Sequence, residues 1–586
     1  MYPYGLIGNC QASALVHESG SIDWFCAPRP DSPPIFGKLL DPEGGEFSIS
    51  ATESSTFKQI YVPNTNVLVT QITSKDGAFK ITDFCPRFEQ FGRMYRPISI
   101  FRIVEPVTGS PVIKARCRPV NGWDKSPVSP IRGNSHVRYE FPKDALRLTT
   151  TMPLTNLLEE SPFRLNEPVF FALTWSVGLE DDLVQVAKDF LSKTERYWRA
   201  WVKHCSIPVD FQKETIRSAL ALKLHCYEET GAILAAATTS LPEEIGKGRN
   251  WDYRLCWLRD SYYTLSAFHR LGHFEEMEGF LKFLLGVVHS HGRLRPVYRI
   301  DGSIPVPEIE HENWTGFQNS PPVRSNNEAT NQIQNDMYGE MVLTLAPIFF
   351  DERFHYLRTK EHEELLEHLA LQCSESISKP DAGLWELRKG GQEHSFTNLM
   401  CWAGLDRVLS LQSKGYFKGI SFDVAKERER AEKATRTAVR EATFRNGPSD
   451  HSFNAALFQA PLLRFPDKAL SVQTVKSCYE ALRVSPEGDS RYFLYRYQRP
   501  DDFGVPESAF LLCSFWWIQA LTRIGEIGAA REALAKALEA ANPLGLFSEH
   551  FSPATKTQLG NYPQTYSHVG AINSAFMVSP SWDEIL

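Results

Sequence analysis

Two glutamates stand in stretches whose residue types suit proton transfer. Glu386 lies in Pro380-Asp-Ala-Gly-Leu-Trp-Glu-Leu-Arg388, beside Leu384, Trp385 and Leu387. A carboxyl held against an indole and two leucines loses hydration, which disfavours its charged form. A carboxylic acid kept protonated near neutral pH can give a proton to a leaving group. Glu549 lies in Gly545-Leu-Phe-Ser-Glu-His-Phe551, between Ser548 and His550. That polar setting favours the ionised form, which suits a base. Two carboxyls pushed apart by their surroundings can divide acid and base work. With room for a water, about 6.5–9.5 Å between the carboxyls, such a pair inverts a glycosidic centre. Taken singly, each residue also fits a helix-start or surface glutamate.

Other polar clusters could hold a sugar. In Gly248-Arg-Asn-Trp-Asp-Tyr-Arg-Leu-Cys-Trp-Leu-Arg-Asp260, Arg259 and Asp260 offer a fork of donors and a bidentate acceptor, which suits vicinal hydroxyls. Tyr253 and Trp257 could wall an apolar sugar face. Arg324, Asn327 and Gln332, in Pro321-Pro-Val-Arg-Ser-Asn-Asn-Glu-Ala-Thr-Asn-Gln332, are further candidate contacts. Helix capping by Asn326 or Asn327 is the alternative there. Trp385 and Arg388, flanking Glu386, complete the candidate set.

The elements that must position these residues change character along the chain. Residues 1–180 read as β structure. Two alternating runs around Asp76-Gly77 predict a hairpin, because Gly tolerates the positive φ of the turn. Short runs over 98–104, 112–117, 136–141, 146–151 and 169–177, separated by Gly, Pro, Asn and Asp, predict an antiparallel sandwich. Residues 181–210 read as a linker helix region with Leu183, Val186, Phe190, Tyr197 and Trp201 on one face. Residues 211–586 read as all-α, with about twelve helices at 211–228, 257–271, 273–290, 329–350, 359–378, 394–413, 423–444, 452–462, 467–483, 507–525, 526–541 and 563–579. Long loops over 229–256, 291–328, 379–393, 484–506 and 542–562 fall mostly after every second helix. Loops this long are usually functional or disordered. Their aromatic and charged content favours function. The pattern predicts a double ring of helices whose loops build one pocket.

Composition excludes several classes. The 586 residues are 42% hydrophobic and 23% charged, with a formal net charge of -7. No dense Lys/Arg run points to nucleic acid. No unbroken apolar run is long enough for a transmembrane helix, and the N-terminus lacks the pattern of a signal peptide. The 11 Cys are scattered, with no CxxC or Cys/His ligand spacing. That predicts no zinc site, free thiols and a reducing, cytoplasmic setting. No cofactor and no membrane partner are expected. A homo-oligomer stays open.

Taken together, these stretches resemble glycoside hydrolase family 15, the glucoamylase and trehalase family. The resemblance runs from Gly5-Leu-Ile-Gly-Asn-Cys, Gly20-Ser-Ile-Asp-Trp-Phe-Cys and Pro30-Asp-Ser-Pro-Pro-Ile-Phe through Asn250–Asp260 and Leu384-Trp-Glu-Leu-Arg. It continues to Leu546-Phe-Ser-Glu and Leu559-Gly-Asn-Tyr-Pro-Gln-Thr-Tyr-Ser-His. It implies a β-sandwich followed by an (α/α)6 barrel, a small carbohydrate substrate and no catalytic metal. It also implies Glu386 as general acid, Glu549 as general base, and Arg259 and Asp260 on the terminal glucose. Tyr253 and Trp257 match pocket aromatics, with Tyr253 near the attacking water. Where relatives often read Val-Arg-Ile-Gly-Asn-Ala, this chain reads Val323-Arg-Ser-Asn-Asn-Glu-Ala, and Pro307–Gly316 is also atypical. If these segments line the second sugar's site, the second sugar is in question. The expected activity is inverting, exo-acting hydrolysis of trehalose or α-gluco-oligosaccharides. A disaccharide phosphorylase and a catalytically silent sugar binder are the alternatives.

Overall fold

The computed structural model describes residues 1–179, 181–388 and 390–586. Two antiparallel sheets form the N-terminal part. In one, the strands Tyr4–Gly8, Ser13–His17, Ser21–Cys26, Glu46–Ala51, Val112–Arg118 and Phe163–Arg164 lie side by side in that order. In the other, Ala145–Thr150, Val169–Trp175, Ser99–Gly109, Gly77–Phe84, Leu68–Ser74 and Ser55–Tyr61 are consecutive neighbours. The Asp76-Gly77 turn joins Leu68–Ser74 to Gly77–Phe84, with Ser74 opposite Gly77. Gly77 stands at φ +142°, where a Cβ would meet the Thr108 carbonyl, so the turn requires glycine. Ile22, Phe47, Ile49, Ile72, Phe79 and Ile100 pack between the sheets.

Helix α1, Leu183–Lys203, is capped by the Asp182 carboxylate, which accepts from the Gln185 amide. Its buried face carries Leu183, Ala187, Trp198 and Trp201. Twelve α-helices follow among the described residues. They are α2 (Gln212–His225), α3 (Leu258–Leu271), α4 (Glu275–His291), α5 (Asp336–Phe350), α6 (Lys360–Ser376) and α7 (Ser395–Ser413). Then come α8 (Val424–Arg436), the short α9 (Ala455–Phe458 running into Gln459–Leu462), α10 (Lys468–Leu482), α11 (Leu511–Ile524), α12 (Ile527–Ala537) and α13 (Thr565–Val578). Contacts run α3 to α5, α5 to α7, α7 to α9, α9 to α11, α11 to α13 and α13 back to α3. These six close an inner ring, and the alternate six lie outside it. The inner helices are mostly buried, as helices surrounded by others must be. In α11 every residue from Leu511 to Leu521 is buried.

Two expected helix boundaries differ. The helix expected over 329–350 begins at Asp336, because Asn327 Oδ1 caps a separate short turn, Glu328–Asn331, at the Ala329 amide, 2.9 Å away. The helix expected over 423–444 ends at Arg436, because Glu441 and Ala442 adopt positive φ in a tight turn between Val439–Arg440 and Thr443–Phe444.

The sandwich is bonded directly to the barrel loops. Tyr562 Oη donates to the Tyr4 carbonyl at 2.6 Å, and Trp24 Nε1 to the Ala237 carbonyl at 2.9 Å. Arg254 holds Asp252 at 2.8 Å and also reaches the Ser32 carbonyl at 2.7 Å. The loops that carry the candidate site are thus braced from behind. No helix among the described residues is long and apolar enough to cross a membrane.

Candidate active site

The segments that lead into the inner helices meet in one cavity of two joined chambers. The deep chamber, about 510 Å³ counting its mouth, is lined by Tyr253, Trp257, Arg259, Asp260, Glu386 and Glu549, together with Trp385, Arg496, Phe510, Trp516 and Tyr566. The outer chamber, about 530 Å³ on the same measure, is lined by Trp251, Asn327, Gln332, Arg388, Asp501, Asp502 and Phe503, among others. Both are bordered by Tyr253, Trp385, Glu386 and Arg496, so Glu386 stands where they join.

Glu386 does not have the apolar surroundings its sequence neighbours suggest. It adopts φ +58°, a left-handed conformation rare outside glycine. Leu384 and Trp385 pack into the barrel core instead, with Trp385 against Tyr497, Phe510 and Trp516. The Glu386 carboxyl meets donors. Its Oε1 accepts from Trp257 Nε1 at 2.7 Å, Arg259 at 2.9 Å and Gln334 Nε2 at 3.2 Å. Oε2 accepts none among the described residues. An oxygen already taking three N–H donors cannot also carry a proton comfortably, so an acidic proton belongs on Oε2. Gln332 Nε2 holds the Glu386 backbone carbonyl at 3.1 Å.

Arg259 spends three of its five donors on protein: on Glu386, on Gln334 Oε1 at 2.8 Å and on Tyr566 Oη at 2.7 Å. Asp260 follows in the first turn of α3, buried. Burial pushes its carboxyl up to about 7, although Arg259 and Tyr566 pull the other way.

Glu549 differs most from the expectation. It is 2% exposed, not polar and solvated, because the following His550 pairs as a β-strand residue and draws the segment inside. Burial first, then the neighbouring Glu243 carboxylate, push its carboxyl well above the usual range; Arg496 and Tyr253 oppose this without cancelling it. Tyr253 lies close enough to feel both carboxyls: burial raises its phenol, followed by Glu549, Glu243 and Glu386.

Arg324 lines neither chamber. Its guanidinium reaches Glu310 at 2.7 Å and the carbonyls of Asn250 and Gly248 at 2.8 and 3.1 Å. It also lies 4.8 Å from the centre of the Trp251 ring. Arg388 lies 4.7 Å from that ring, and pairs with Glu308 at 3.0 Å. Arg324 is thus a support for Trp251, a role its sequence position gave no means of telling from sugar binding. Asn327 borders the outer chamber, but its Oδ1 is spent on the Ala329 amide. The atypical segment 307–316 lines neither chamber. Asn326 stands at φ +61°, a conformation asparagine tolerates better than most residues.

Sequence reasoning passed over Glu243, Gln334, Arg496 and Tyr566. Glu243 and Arg496 sit in loops without a motif, and only the fold brings them to Glu549. Glu243 accepts from Trp251 Nε1 at 2.8 Å and from Arg496 at 2.9 Å. Glu243, Glu549 and His550 offer three ligand atoms within 4.8 Å of one another, a set that could hold a divalent cation. A dication on Glu243 would stand roughly 5 Å from the Arg496 guanidinium, with repulsion on the order of 6 kcal/mol at an effective dielectric near 20. The set suits a proton or a water better.

The family model of glycosyl hydrolases family 15 matches residues 210–576, and a trehalase-like N-terminal model matches residues 3–128. The chain is 30% identical to a trehalase of Mycolicibacterium smegmatis, covering 99% of this chain and 91% of that one. It is 31% identical to a trehalase of Thermoplasma volcanium, covering 100% and 93%. A bacterial glucoamylase solved with acarbose superposes with a TM-score of 0.67 at 15% identity, over 98% of this chain and 94% of that one, a likeness of fold. The sheet-rich N-terminal part, the double ring of helices and these matches agree: the chain belongs to glycosyl hydrolases family 15 and is a glycoside hydrolase.

Proposed function

We propose that the protein hydrolyses trehalose with inversion, Glu386 acting as general acid and Glu549 as general base. The carrying observation is the pair of chambers joined at Glu386. One glucose fits the deep chamber beside Arg259, Asp260 and Trp257. The second fits the outer chamber against Trp251 and Arg388, with the scissile oxygen near Glu386. Two chambers of similar size suit a disaccharide better than a long polymer. The trehalases among the relatives support the same substrate. Glu386 Oε2 gives its proton to the leaving oxygen. A water beside Tyr253 gives its proton to Glu549 as it attacks the anomeric carbon. The free thiols, eleven among the described residues, fit a reducing, cytoplasmic setting.

Glucose release from trehalose, maltose, isomaltose and starch, with and without inorganic phosphate, tests the reading. Trehalose should be the best substrate and phosphate unnecessary. Release of glucose 1-phosphate, or faster release from starch, would contradict it.

A further inference from the structure

The chain just before the first strand of the sandwich is bonded into the segment that carries Glu549. Tyr2 spends all its polar groups there. Its amide donates to Gln558 Oε1 at 2.9 Å, its carbonyl accepts from Asn542 Nδ2 at 3.1 Å, and its phenol donates to the Gly560 carbonyl at 3.1 Å. Asn542 and Gln558 lie on either side of Glu549 in sequence. Asn542 Nδ2 also reaches the Tyr4 carbonyl at 3.0 Å, and Gln558 Nε2 donates to the Leu546 carbonyl at 2.8 Å. The Tyr2 ring is buried, 5.4 Å from Phe317 and 5.2 Å from Tyr562 between ring centres.

Gly560 is where this brace meets the carboxyl. It stands at φ +71°, and a Cβ there would lie 2.7 Å from Glu549 Oε2 and 2.9 Å from Glu549 Cβ. Only glycine leaves that space free. Both polar groups of Gly560 are tied down, the amide on the Pro242 carbonyl at 2.7 Å and the carbonyl on the Tyr2 phenol. The Glu549 backbone is fixed as well. Its amide donates to the Asn561 carbonyl, and its carbonyl accepts from the Leu511 amide, each at 3.1 Å. Oε2 itself accepts no hydrogen bond among the described residues. Packing on the bare Gly560 backbone therefore decides where Oε2 stands. Glu386 has no such tie to the sandwich, since its donors Trp257, Arg259 and Gln334 all belong to the barrel.

We propose that Tyr2 is a positioning residue for the base: its phenol pins Gly560, and Gly560 sets where Glu549 Oε2 stands toward the attacking water. The inference rests on Glu549 being the base. It gives the N-terminal sheet a share in the reaction and confines that share to one of the two carboxyls. Misplacing a reacting group by about 1 Å can cost about 10²-fold in rate, so a small shift of Gly560 is felt. Tyr2 and Gly560 line neither chamber, so the loss falls on kcat and leaves substrate binding alone.

The test is a double-mutant cycle on α-glucosyl fluoride, a substrate that needs the base and little of the acid. Tyr2→Phe keeps the ring and loses only the phenolic hydrogen bond. It should lower kcat by about threefold to tenfold with KM nearly unchanged. In a Glu386→Gln background the same loss should recur in full. In a Glu549→Gln background it should vanish, because no base is left to place. A merely structural role would give the same loss in all three backgrounds, and that result would overturn the proposal, as would wild-type kcat in Tyr2→Phe. Gly560→Ala, whose methyl meets Oε2 directly, should lower kcat by about a hundredfold with the same dependence on background. If its backbone keeps it from folding, Tyr2→Phe decides alone. Wild-type turnover by Glu549→Gln would overturn the base and the inference with it. A slow Glu549→Gln in which Tyr2→Phe still costs its full factor would overturn only the role of Tyr2.

Discussion

Glu386 and Glu549 border one chamber, but their surroundings differ in kind. On the Glu386 side, the backbone is left-handed, the carboxyl is partly exposed, and three N–H donors meet on one oxygen. On the Glu549 side, the carboxyl is enclosed, a second carboxylate stands close, and one oxygen has no donor. Donors from Trp257, Arg259 and Gln334 fix the direction of the Glu386 carboxyl, the proposed acid. Burial and Glu243 raise the Glu549 carboxyl, the proposed base. One group is set by geometry and the other by charge, so variants on the two sides should fail differently.

The largest expected effect separates the two roles. Glu386→Gln and Glu549→Gln should each lower kcat on trehalose by about 10²–10⁴-fold. On α-glucosyl fluoride, whose leaving group needs little proton help, Glu386→Gln should recover most of its rate and Glu549→Gln should not. Recovery by Glu549→Gln instead would exchange the roles.

Asp260 lines the deep chamber beside Arg259. Asp260→Ala should lower kcat/KM at least tenfold, because ring positioning is used in the transition state. Its proton also bears on stability. The folded state holds this carboxyl up at about 7, above the unfolded value, so between about pH 4 and 7 the folded state binds more protons. Stability from this group is therefore lost as pH rises through that window. Asp260→Asn removes the dependence, so its melting temperature should fall less than the wild type's from pH 4 to 7. Parallel melting curves would place the burden of that window on other carboxyls.

The smallest effects belong to the outer chamber. Arg388→Ala should raise KM for trehalose by about tenfold or less with kcat nearly unchanged, since a stacked guanidinium is worth about 0.5–2 kcal/mol. Arg324→Gln, which loses a support, should lower the melting temperature by a few degrees and raise KM by only about twofold. A large KM effect with unchanged melting would return Arg324 to the substrate.

Much of the fold was legible. Asp76-Gly77 announced its hairpin, and the apolar spacing of the helices placed ten of the twelve to within a few residues. Helix α5 starts later because Asn327 capped a separate turn. The four site stretches were legible as stretches, and Glu386, Glu549, Arg259 and Asp260 do meet. Their environments were not legible. Leu384 and Trp385 adjoin Glu386 in sequence but turn into the core, and a left-handed residue gives no apolar signature in its neighbours. Ser548 and His550 looked polar and hence wet, yet both are fully buried, His550 at the start of a short strand. Glu243 and Arg496 lie 306 and 53 positions from Glu549, and only closure of the ring brings them together.

The central claim is one displacement by a water held by Glu549. Inversion at one anomeric carbon of α,α-trehalose frees that glucose as the β-anomer, while the leaving glucose keeps the α-configuration. Proton NMR in the first minutes, before mutarotation, should therefore show α- and β-glucose in equal amounts. Initial release of α-glucose alone would mean two displacements through a covalent intermediate, and would contradict the role given to Glu549.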